Sequence, residues 1–336
     1  MSGLVSIIQK VLGETDLVLG WTATGAGGVA APQRFQTADE AVAAIFDSTC
    51  VHNLAVHLPR LKDRAVGIVA KACDARSIVE LMVEREVDRE RVKVIAVSCP
   101  EMLDVKAIWR RHGYGAEIED RGGQLRVNGE PVEREAYIQA KCHGCDERLP
   151  VIYDEVVGGA TAVAADTELT GTAEPDGIDS KSAGVAATAP ASSPAASARQ
   201  KLREDFQAMK THERRAFWRE QYQRCIRCHA CREACPMCYC RDVCIMQTTD
   251  PHWTGGGIEA GEAEMMQLIR VNHLAGRCAA CGECERACPV GIPLMLLMEE
   301  QNRAVDEMFD YRAGVDPEAK PPLLTFDIKG DGWGVE

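Results

Sequence analysis

Short apolar runs alternate with amphipathic segments through the first 158 residues of the chain. The runs Val66–Ala70 and 92–97 are almost wholly apolar, which is typical of strands that are buried on both faces. The segments 75–84 and 105–111 that follow them have helical spacing, and Asp74 is placed as the N-cap of the first of these helices. The alternation predicts an α/β domain with a mostly parallel sheet.

Two glycine-containing segments interrupt this alternation. In 116–132, Gly122 and Gly123 stand between residues that alternate in polarity, which predicts a β-hairpin on the α/β core. The glycine-rich segment 22–32 lacks the G-x-G-x-x-G spacing of a dinucleotide-binding turn after a strand, and we interpret it as a loop.

The composition changes sharply after Gly158. Residues 159–199 are rich in Ala, Thr, Ser, Gly and Pro and have no apolar period, which predicts a flexible, disordered linker. We therefore expect an α/β redox or docking domain over 1–158, an all-α domain over 200–312 and a C-terminal tail over 313–336.

The segment after the linker has the pattern of three helices. A charged amphipathic helix is predicted over 201–223, and a second over 262–274 with Met265, Leu268 and Ile269 on one face. A third begins near Pro293, and its apolar stripe is expected to pack in the core. The stripe consists of Leu294, Leu297, Met298, Val305, Met308 and Phe309.

Charge and hydropathy limit the partners of this protein. The formal net charge of -13 argues against nucleic-acid binding, which needs clustered Lys and Arg. No segment has the ~20 uninterrupted apolar residues of a membrane span, and the first residues do not have the pattern of a secretory leader. We expect a cytoplasmic protein that docks on other proteins.

The sixteen cysteines are far more than a protein of a reducing compartment normally carries, which favours metal ligation. Two runs have the C-x2-C-x2-C-x3-C-P spacing of two-cluster ferredoxins, in which the fourth cysteine binds the other cluster. The pattern predicts two [4Fe–4S] clusters with crossed ligation. The predicted first set is Cys225, Cys228, Cys231 and Cys288, and the predicted second set is Cys235, Cys278, Cys281 and Cys284.

Zinc is the alternative metal, since C-x2-C is also a zinc signature, but the duplicated run with its x3 gap and proline favours iron and sulfur. Cys238, Cys240 and Cys244 follow the first run directly and exceed what two clusters need. They could bind a further metal centre or pack as small buried hydrophobes.

The N-terminal domain has five cysteines of its own. Cys142 and Cys145 have x2 spacing, and Cys73 and Cys99 follow predicted strands, at the sheet edge where α/β proteins bind ligands. A third [4Fe–4S] cluster could be ligated by Cys142, Cys145, Cys99 and either Cys50 or Cys73. The alternative is that Cys50 and Cys73 are buried and no third cluster forms.

Six segments of the chain carry a resemblance to a known family: 50–54, 58–81, 141–154, 225–244, 273–294 and 316–322. On these segments the chain resembles a family of bacterial and archaeal dicluster ferredoxin subunits. Its N-terminal half is more distantly similar to the beta subunit of coenzyme-F420-type hydrogenases and formate dehydrogenases, a resemblance that implies FAD and a [4Fe–4S] cluster. Flavin residues do not map individually onto this sequence.

The resemblance implies a role beside a heterodisulfide-reductase-like flavoprotein, a hydrogenase or a formate dehydrogenase. We expect a non-catalytic subunit that passes single electrons through its clusters, with no catalytic residues of its own. The alternative is an FAD-containing oxidoreductase that reduces a soluble carrier with electrons from those clusters. A zinc-stabilised interaction module is a third class.

Overall fold

A computed structural model describes residues 2–121, 123–143, 145, 148–158, 194–240, 243–247, 255 and 257–325, without the side chains of 2 and 194–199. The chain forms two compact units, and each is built from separate stretches of sequence. The first unit comprises Met1–Leu54, Arg64–Ala72 and Val92–Leu202, and the second comprises Ala55–Asp63, Cys73–Arg91 and Arg203–Glu336.

A six-stranded sheet forms the core of the first unit. Its strands are β1 Leu17–Ala23, β2 Ala30–Phe35, β3 Ala44–Ile45, β4 Val66–Ala70, β5 Val92–Ala96 and β9 Glu155–Val156. Their order is β2-β1-β4-β5-β9, with β3 beside β1. The pairs β1–β4, β4–β5 and β5–β9 are parallel, whereas β2 and β3 run antiparallel to β1. The predicted α/β domain with a mostly parallel sheet is therefore confirmed.

Helix α1 (Ser2–Leu12) buries Leu4, Ile8 and Val11 within this unit. Close packing is possible because residue 67 is a glycine: a Cβ there would lie 2.7 Å from both Val11 Cγ1 and Val18 Cγ2. The short helix α2 (Ala38–Ala41) follows β2.

A second, antiparallel sheet in the same unit is formed by β6 (Ile118–Arg121), β7 (Gln124–Val127) and β8 (Glu130–Val132). The predicted hairpin is confirmed and gains a third strand. Its core cluster includes Leu125, Val127 and Ile108 of helix α4 (Val105–His112), which is capped by the Asp104 side chain.

Helix α3 (Ala72–Val83) directly follows β4, but from Cys73 onward it belongs to the second unit. The assignment of Asp74 as N-cap is wrong. The helix begins two residues earlier, so Asp74 lies in its first turn, where a carboxylate also interacts favourably with the helix dipole.

The second unit is otherwise helical, as predicted for the C-terminal region. Its helices, and the helix that leads into it, are α5 Pro194–Ala208, α6 Thr211–Gln223, α7 Ala230–Glu233, α8 Ala260–His273, α9 Glu283–Ala287 and α10 Leu294–Phe309. Short 3₁₀ turns occur in the two units at Leu54–Arg60, Arg89–Arg91, Arg134–Tyr137, Ala140–Cys142 and Pro322–Leu324.

The single helix predicted over 201–223 is wrong. The chain breaks at Met209 and Lys210, where the Glu213 carboxylate accepts the Lys210 backbone N–H at 2.7 Å and caps α6. Arg214 donates to the carbonyls of Gln207 and Met209, which would otherwise lack partners at the end of α5.

The predicted buried faces of two helices are partly wrong. Met265 and Leu268 of α8 are about half exposed, whereas the polar Gln267 and Arg270 are buried. In α10 the stripe is buried at Leu294, Met298 and Val305. Its last two members, Met308 and Phe309, are exposed at the C-terminal end of the helix.

The predicted consecutive domains differ from the two units, because 55–63 and 73–91 precede the linker and yet belong to the second unit. Most of the predicted linker, residues 159–193, lies outside the described residues, and α5 begins at Pro194. In the predicted tail, residues 326–336 lie outside the described part, whereas Tyr311 and Gly314 donate hydrogen bonds to the buried Glu80 carboxylate of α3.

Candidate iron–sulfur centres

The first cysteine run forms a tight loop that ends in α7. Arg227 and His229 have left-handed backbone conformations, with φ of 50° and 57°. The Arg227 backbone N–H points at the Cys225 sulfur, and Cys231 enters the helix. This conformation is uncommon for residues other than glycine, and strain of this kind concentrates at ligand sites.

The second run repeats this geometry. Ala280 and Gly282 have φ of 52° and 72° at the positions that Arg227 and His229 occupy in the first run. The Ala280 backbone N–H points at Cys278, and Cys284 enters α9. The two loops are therefore structural repeats, as their shared spacing implies.

Cysteines of both runs line one pocket in the second unit. Three are from the first run, Cys225, Cys228 and Cys231, and the fourth is Cys288 of the second run. The pocket encloses about 320 Å³, part of it open to solvent, and its other walls include Met266, Ile292 and Leu294.

Two N–H groups point at sulfurs of this pocket. The Ile292 backbone N–H lies 3.4 Å from Cys288 Sγ, and Gln267 Nε2 lies 3.6 Å from Cys231 Sγ. Donors to sulfur stabilise the ligating thiolates of iron–sulfur centres. The pocket thus collects the four cysteines of the predicted first set.

Cys235 lies with cysteines of the second run. Burial raises the pKa of both Cys278 and Cys284 to about 12, and the charge of a Cys235 thiolate contributes to each shift. Buried thiols of this kind stay protonated at neutral pH unless a metal displaces the proton. Cys281 also acts on Cys278, so the structure brings the predicted second set together.

The donor sets fit [4Fe–4S] clusters, which are ligated by four thiolates each and take up and release single electrons. A single zinc ion would need its ligand atoms gathered at about 2.0–2.3 Å from one point. Among the residues that the structure describes, no three His, Cys, Asp or Glu side chains are arranged to hold one metal ion.

The three extra cysteines, Cys238, Cys240 and Cys244, differ in their hydrogen-bond partners and exposure. Cys238 forms a hydrogen bond with Cys235, which lowers the Cys238 pKa. Cys244 Sγ accepts from Arg232 Nε at 3.3 Å, and Cys240 is exposed while its carbonyl accepts from Arg232. The structure does not bring these three cysteines together as one site.

Four of the five N-terminal cysteines lie on connected segments of the first unit. The Met102 backbone N–H donates to Cys142 Sγ at 3.4 Å, and the Cys99 backbone N–H donates to the Arg148 carbonyl. The Cys145 backbone N–H donates to the Cys142 carbonyl, and the Cys142 thiol is buried, which raises its pKa.

Cys50 and Cys73 differ in their placement. Cys50 is fully buried, and its segment is bound to this region because Leu103 donates to the Ser48 carbonyl at 2.9 Å. Cys73 belongs to the second unit. Of the two alternatives for a fourth ligand, Cys50 is the one that the first unit itself supplies.

Comparison with known families matches this region. A family model described as a 4Fe-4S dicluster domain matches residues 221–292, which contain both cysteine runs. We refer to residues 221–292 as the dicluster domain, and the match implies that this segment binds iron–sulfur clusters.

Two curated relatives extend over most of the chain. The F420-dependent formate dehydrogenase subunit beta of Methanocaldococcus jannaschii is 26% identical over 80% of this chain and 78% of its own length. The F420-dependent formate dehydrogenase 1 subunit beta of Methanococcus maripaludis is 25% identical over 78% of this chain and 76% of its own. The similarity thus reaches well beyond the dicluster domain.

Among solved structures, a chain of the F420-reducing [NiFe] hydrogenase complex from Methanosarcina barkeri, a xenon derivative, aligns with a TM-score of 0.35 and 13% identity. The alignment covers 44% of this chain and 59% of that one.

In the described part of the chain, no helix has both the length and the apolar character to cross a membrane.

Sequence reasoning missed the polar residues around the dicluster domain's cysteines, above all Gln267, Arg270 and Arg232. The spacing of Ala263, Gln267 and Arg270 places them on one face of α8, and this face is the buried one. That spacing is visible in the sequence, but the predicted face was chosen by apolarity alone.

Proposed function

We propose that the chain is the iron–sulfur electron-transfer subunit of a soluble oxidoreductase complex. The observation that carries this proposal is the pocket lined by Cys225, Cys228, Cys231 and Cys288, which lies within the dicluster domain. Four thiolates in one pocket suit a [4Fe–4S] cluster, whose chemistry is one-electron transfer.

We propose crossed ligation of two clusters, with the first set in this pocket and the second set formed by Cys235, Cys278, Cys281 and Cys284. Support comes from the repeated loops and from the electrostatic proximity of Cys235 to Cys278 and Cys284. The chain supplies the thiolates, the backbone N–H groups that point at them and the apolar walls that limit water.

The proposed partner is the catalytic subunit of a formate dehydrogenase. The names of both relatives favour this choice over a hydrogenase or a heterodisulfide-reductase-like flavoprotein. The net charge of -13 gives the protein an acidic surface that suits docking on a complementary basic partner.

The test is anaerobic purification of the full chain, followed by reduction with dithionite and electron paramagnetic resonance (EPR) spectroscopy at low temperature. Two interacting [4Fe–4S]⁺ signals are expected, and the wild-type protein should co-purify with a formate-oxidising subunit from its native source. A colourless preparation without a cluster signal would refute the proposal and favour a zinc-stabilised module.

A second candidate function is that of an FAD-containing subunit that reduces a soluble deazaflavin carrier. It is favoured by the extent of the similarity, since 80% of the chain aligns with the M. jannaschii subunit and the first unit is therefore included. Release of stoichiometric FAD from the anaerobic protein would favour this candidate, whereas the electron-carrier proposal predicts no flavin.

We also propose a third [4Fe–4S] cluster in the first unit, ligated by Cys50, Cys99, Cys142 and Cys145. Its support is the hydrogen bonding that links the segments of these residues. This cluster would give the first unit a one-electron centre of its own.

A further inference from the structure

Arg270 of α8 is a fully buried cation that has no carboxylate partner among the described residues. Its side chain is among the largest that the second unit buries, with 2% exposure. Among the described residues its Nε has no hydrogen-bond partner, and its Nη1 has only the Met298 sulfur at 4.0 Å. Burying an uncompensated guanidinium is strongly unfavourable, so such residues are nearly always paired.

The charges that would compensate Arg270 are those of the cysteine thiolates that cluster ligation creates. Burial alone would lower the pKa of the guanidinium, but the thiolates of Cys284, Cys235, Cys231 and Cys238 raise it well above its usual value. These sulfurs include members of both the first and the second set. Arg270 therefore lies where negative charge from both proposed clusters converges.

Gln267 lies one turn before Arg270 on the same buried face. It is 1% exposed, its Nε2 is 3.6 Å from Cys231 Sγ, and its Oε1 has no partner among the described residues. A glutamine buried with half of its amide unpaired is costly in a helix that could present leucine instead. Gln267 thus directs an N–H group at a cysteine sulfur, and Arg270 places a positive charge near cysteine sulfurs.

Cluster reduction adds one negative charge to a centre that is already anionic. A fixed cation in a dry environment stabilises the reduced form more than the oxidised form, and salt screens this interaction weakly. N–H donors to sulfur act in the same direction. Net charge and hydrogen bonding are the two contributions to potential that this face of α8 supplies.

We propose that Arg270 raises the reduction potentials of both clusters of the dicluster domain, and that Gln267 raises that of the first set alone. This proposal rests on the proposed function, since it requires both clusters to be present. Arg270 acts on the clusters through space by its positive charge, and it is not a ligand of either cluster. Its effect is expected to be larger at the second set, which contributes Cys284 and Cys235.

The test is a redox titration of the full-length, cluster-loaded protein, followed by EPR. In Arg270→Gln the equilibrium constant for reducing the second cluster should fall about tenfold, which is about 59 mV for a one-electron couple. The first cluster should shift in the same direction by less. Gln267→Leu should lower the potential of the first cluster only.

The matched control is Arg303→Gln in the same unit. Arg303 has a half-exposed side chain that pairs with Glu300 and Glu307, so its replacement removes the same charge where solvent screens it. Both potentials should stay as in the wild type. A shift in this control equal to that of Arg270→Gln would overturn the proposal, as would unchanged potentials in Arg270→Gln with both clusters present.

Two further variants decide the outcome if Arg270→Gln does not assemble clusters. Arg270→Lys retains the charge and should keep both potentials near the wild-type values, while Gln267→Leu should still lower the first. A tenfold shift in Arg270→Lys, or none in Gln267→Leu, contradicts the proposal. Absence of clusters from the wild type itself would instead refute the proposed function.

Discussion

Cys235 and Cys288 occupy the same position in their respective runs, each followed by proline and each distant in sequence from its proposed partners. Cys288 lines the pocket of Cys225, Cys228 and Cys231, and Cys235 acts electrostatically on Cys278. In the proposed crossed ligation, each run contributes three thiols to one cluster and its fourth thiol to the other. The pairing can be tested one residue at a time.

We expect Cys235→Ala and Cys284→Ala to lose the same cluster, because both residues belong to the second set. Their EPR spectra after reduction should match each other and differ from that of Cys288→Ala. The exposed Cys240 supplies the control, since Cys240→Ala should retain both signals. If Cys235→Ala instead matches Cys228→Ala, the crossed pairing is wrong.

At the residue scale the grouping of Cys225, Cys228, Cys231 and Cys288 in one pocket could be predicted, because their spacing is that of two-cluster ferredoxins. The polar residues around them could not. Burial of Gln267 and Arg270 depends on what faces α8, and an apolar pattern assigns the buried side to Met265 and Leu268 instead. Polar burial next to thiolates has no periodic signature of its own.

At the scale of elements, the two ligating loops are repeats that differ in their tolerance of side chains. Position 282 is a glycine with φ of 72°, and the equivalent position 229 is a histidine with φ of 57°. A β-branched residue in this conformation costs about 1–2 kcal/mol. Substitutions at positions 229 and 282 of the two loops can therefore be compared directly.

We expect Gly282→Val to impair assembly of the second cluster, whereas His229→Gly should retain both clusters. The reason is that valine is strained at positive φ, while glycine relieves the strain of the histidine. Iron content and EPR amplitude per chain measure the outcome. Equal retention in the two variants would show that the left-handed conformation is not required.

Helix α3 carries a buried carboxyl group that titrates near neutrality. Glu80 is fully buried, and burial raises its pKa to about 7 although Tyr311 and Gly314 donate to it. The folded pKa is higher than the unfolded value of 4.5. Glu80 therefore contributes full stability below about pH 4.5, and this contribution is lost as the pH rises through about 7.

The wild-type protein should lose up to about 3 kcal/mol of its free energy of unfolding between pH 5 and pH 8 through Glu80. Glu80→Gln should not show this loss. Thermal melting of the cluster-loaded protein at both pH values gives the difference. Glu90→Gln, at an exposed position in the turn beyond the same helix, is the control and should follow the wild type. A wild-type pH dependence in Glu80→Gln would contradict the assigned ionisation.

The elements themselves were predicted unevenly. Val66–Ala70 and 92–97 were recognisable as parallel strands because they are apolar on both faces. The break between α5 and α6 was not, because no glycine or proline marks it. The break depends on the Glu213 carboxylate, which accepts the Lys210 backbone N–H. The sequence alone is compatible with this cap and equally with a continuous helix.

At the scale of the whole molecule, the two compact units are each built from separate stretches of sequence. The stretches 55–63 and 73–91 lie within the N-terminal sequence but belong to the unit of the dicluster domain. The sequence pattern of α3 matches any helix of an α/β fold, so its membership could not be predicted. Tyr311 and Gly314 reach Glu80 of this helix within the second unit.

The number of clusters per molecule follows from the proposals for the two units. With a third cluster we expect roughly twelve iron atoms per chain, and roughly eight without one. Cys145→Ala should reduce the iron content by about a third if the third cluster exists, because it removes one of four ligands. Cys240→Ala, at an equally exposed cysteine, serves as the control.

The pocket shared by Cys231 and Cys288 has a consequence for biosynthesis. During translation the first run is made well before the second. A chain that ends between the two runs lacks Cys288 of the proposed first set and three thiols of the proposed second set. Products truncated there are therefore expected to assemble neither cluster of the dicluster domain, whatever the first unit binds.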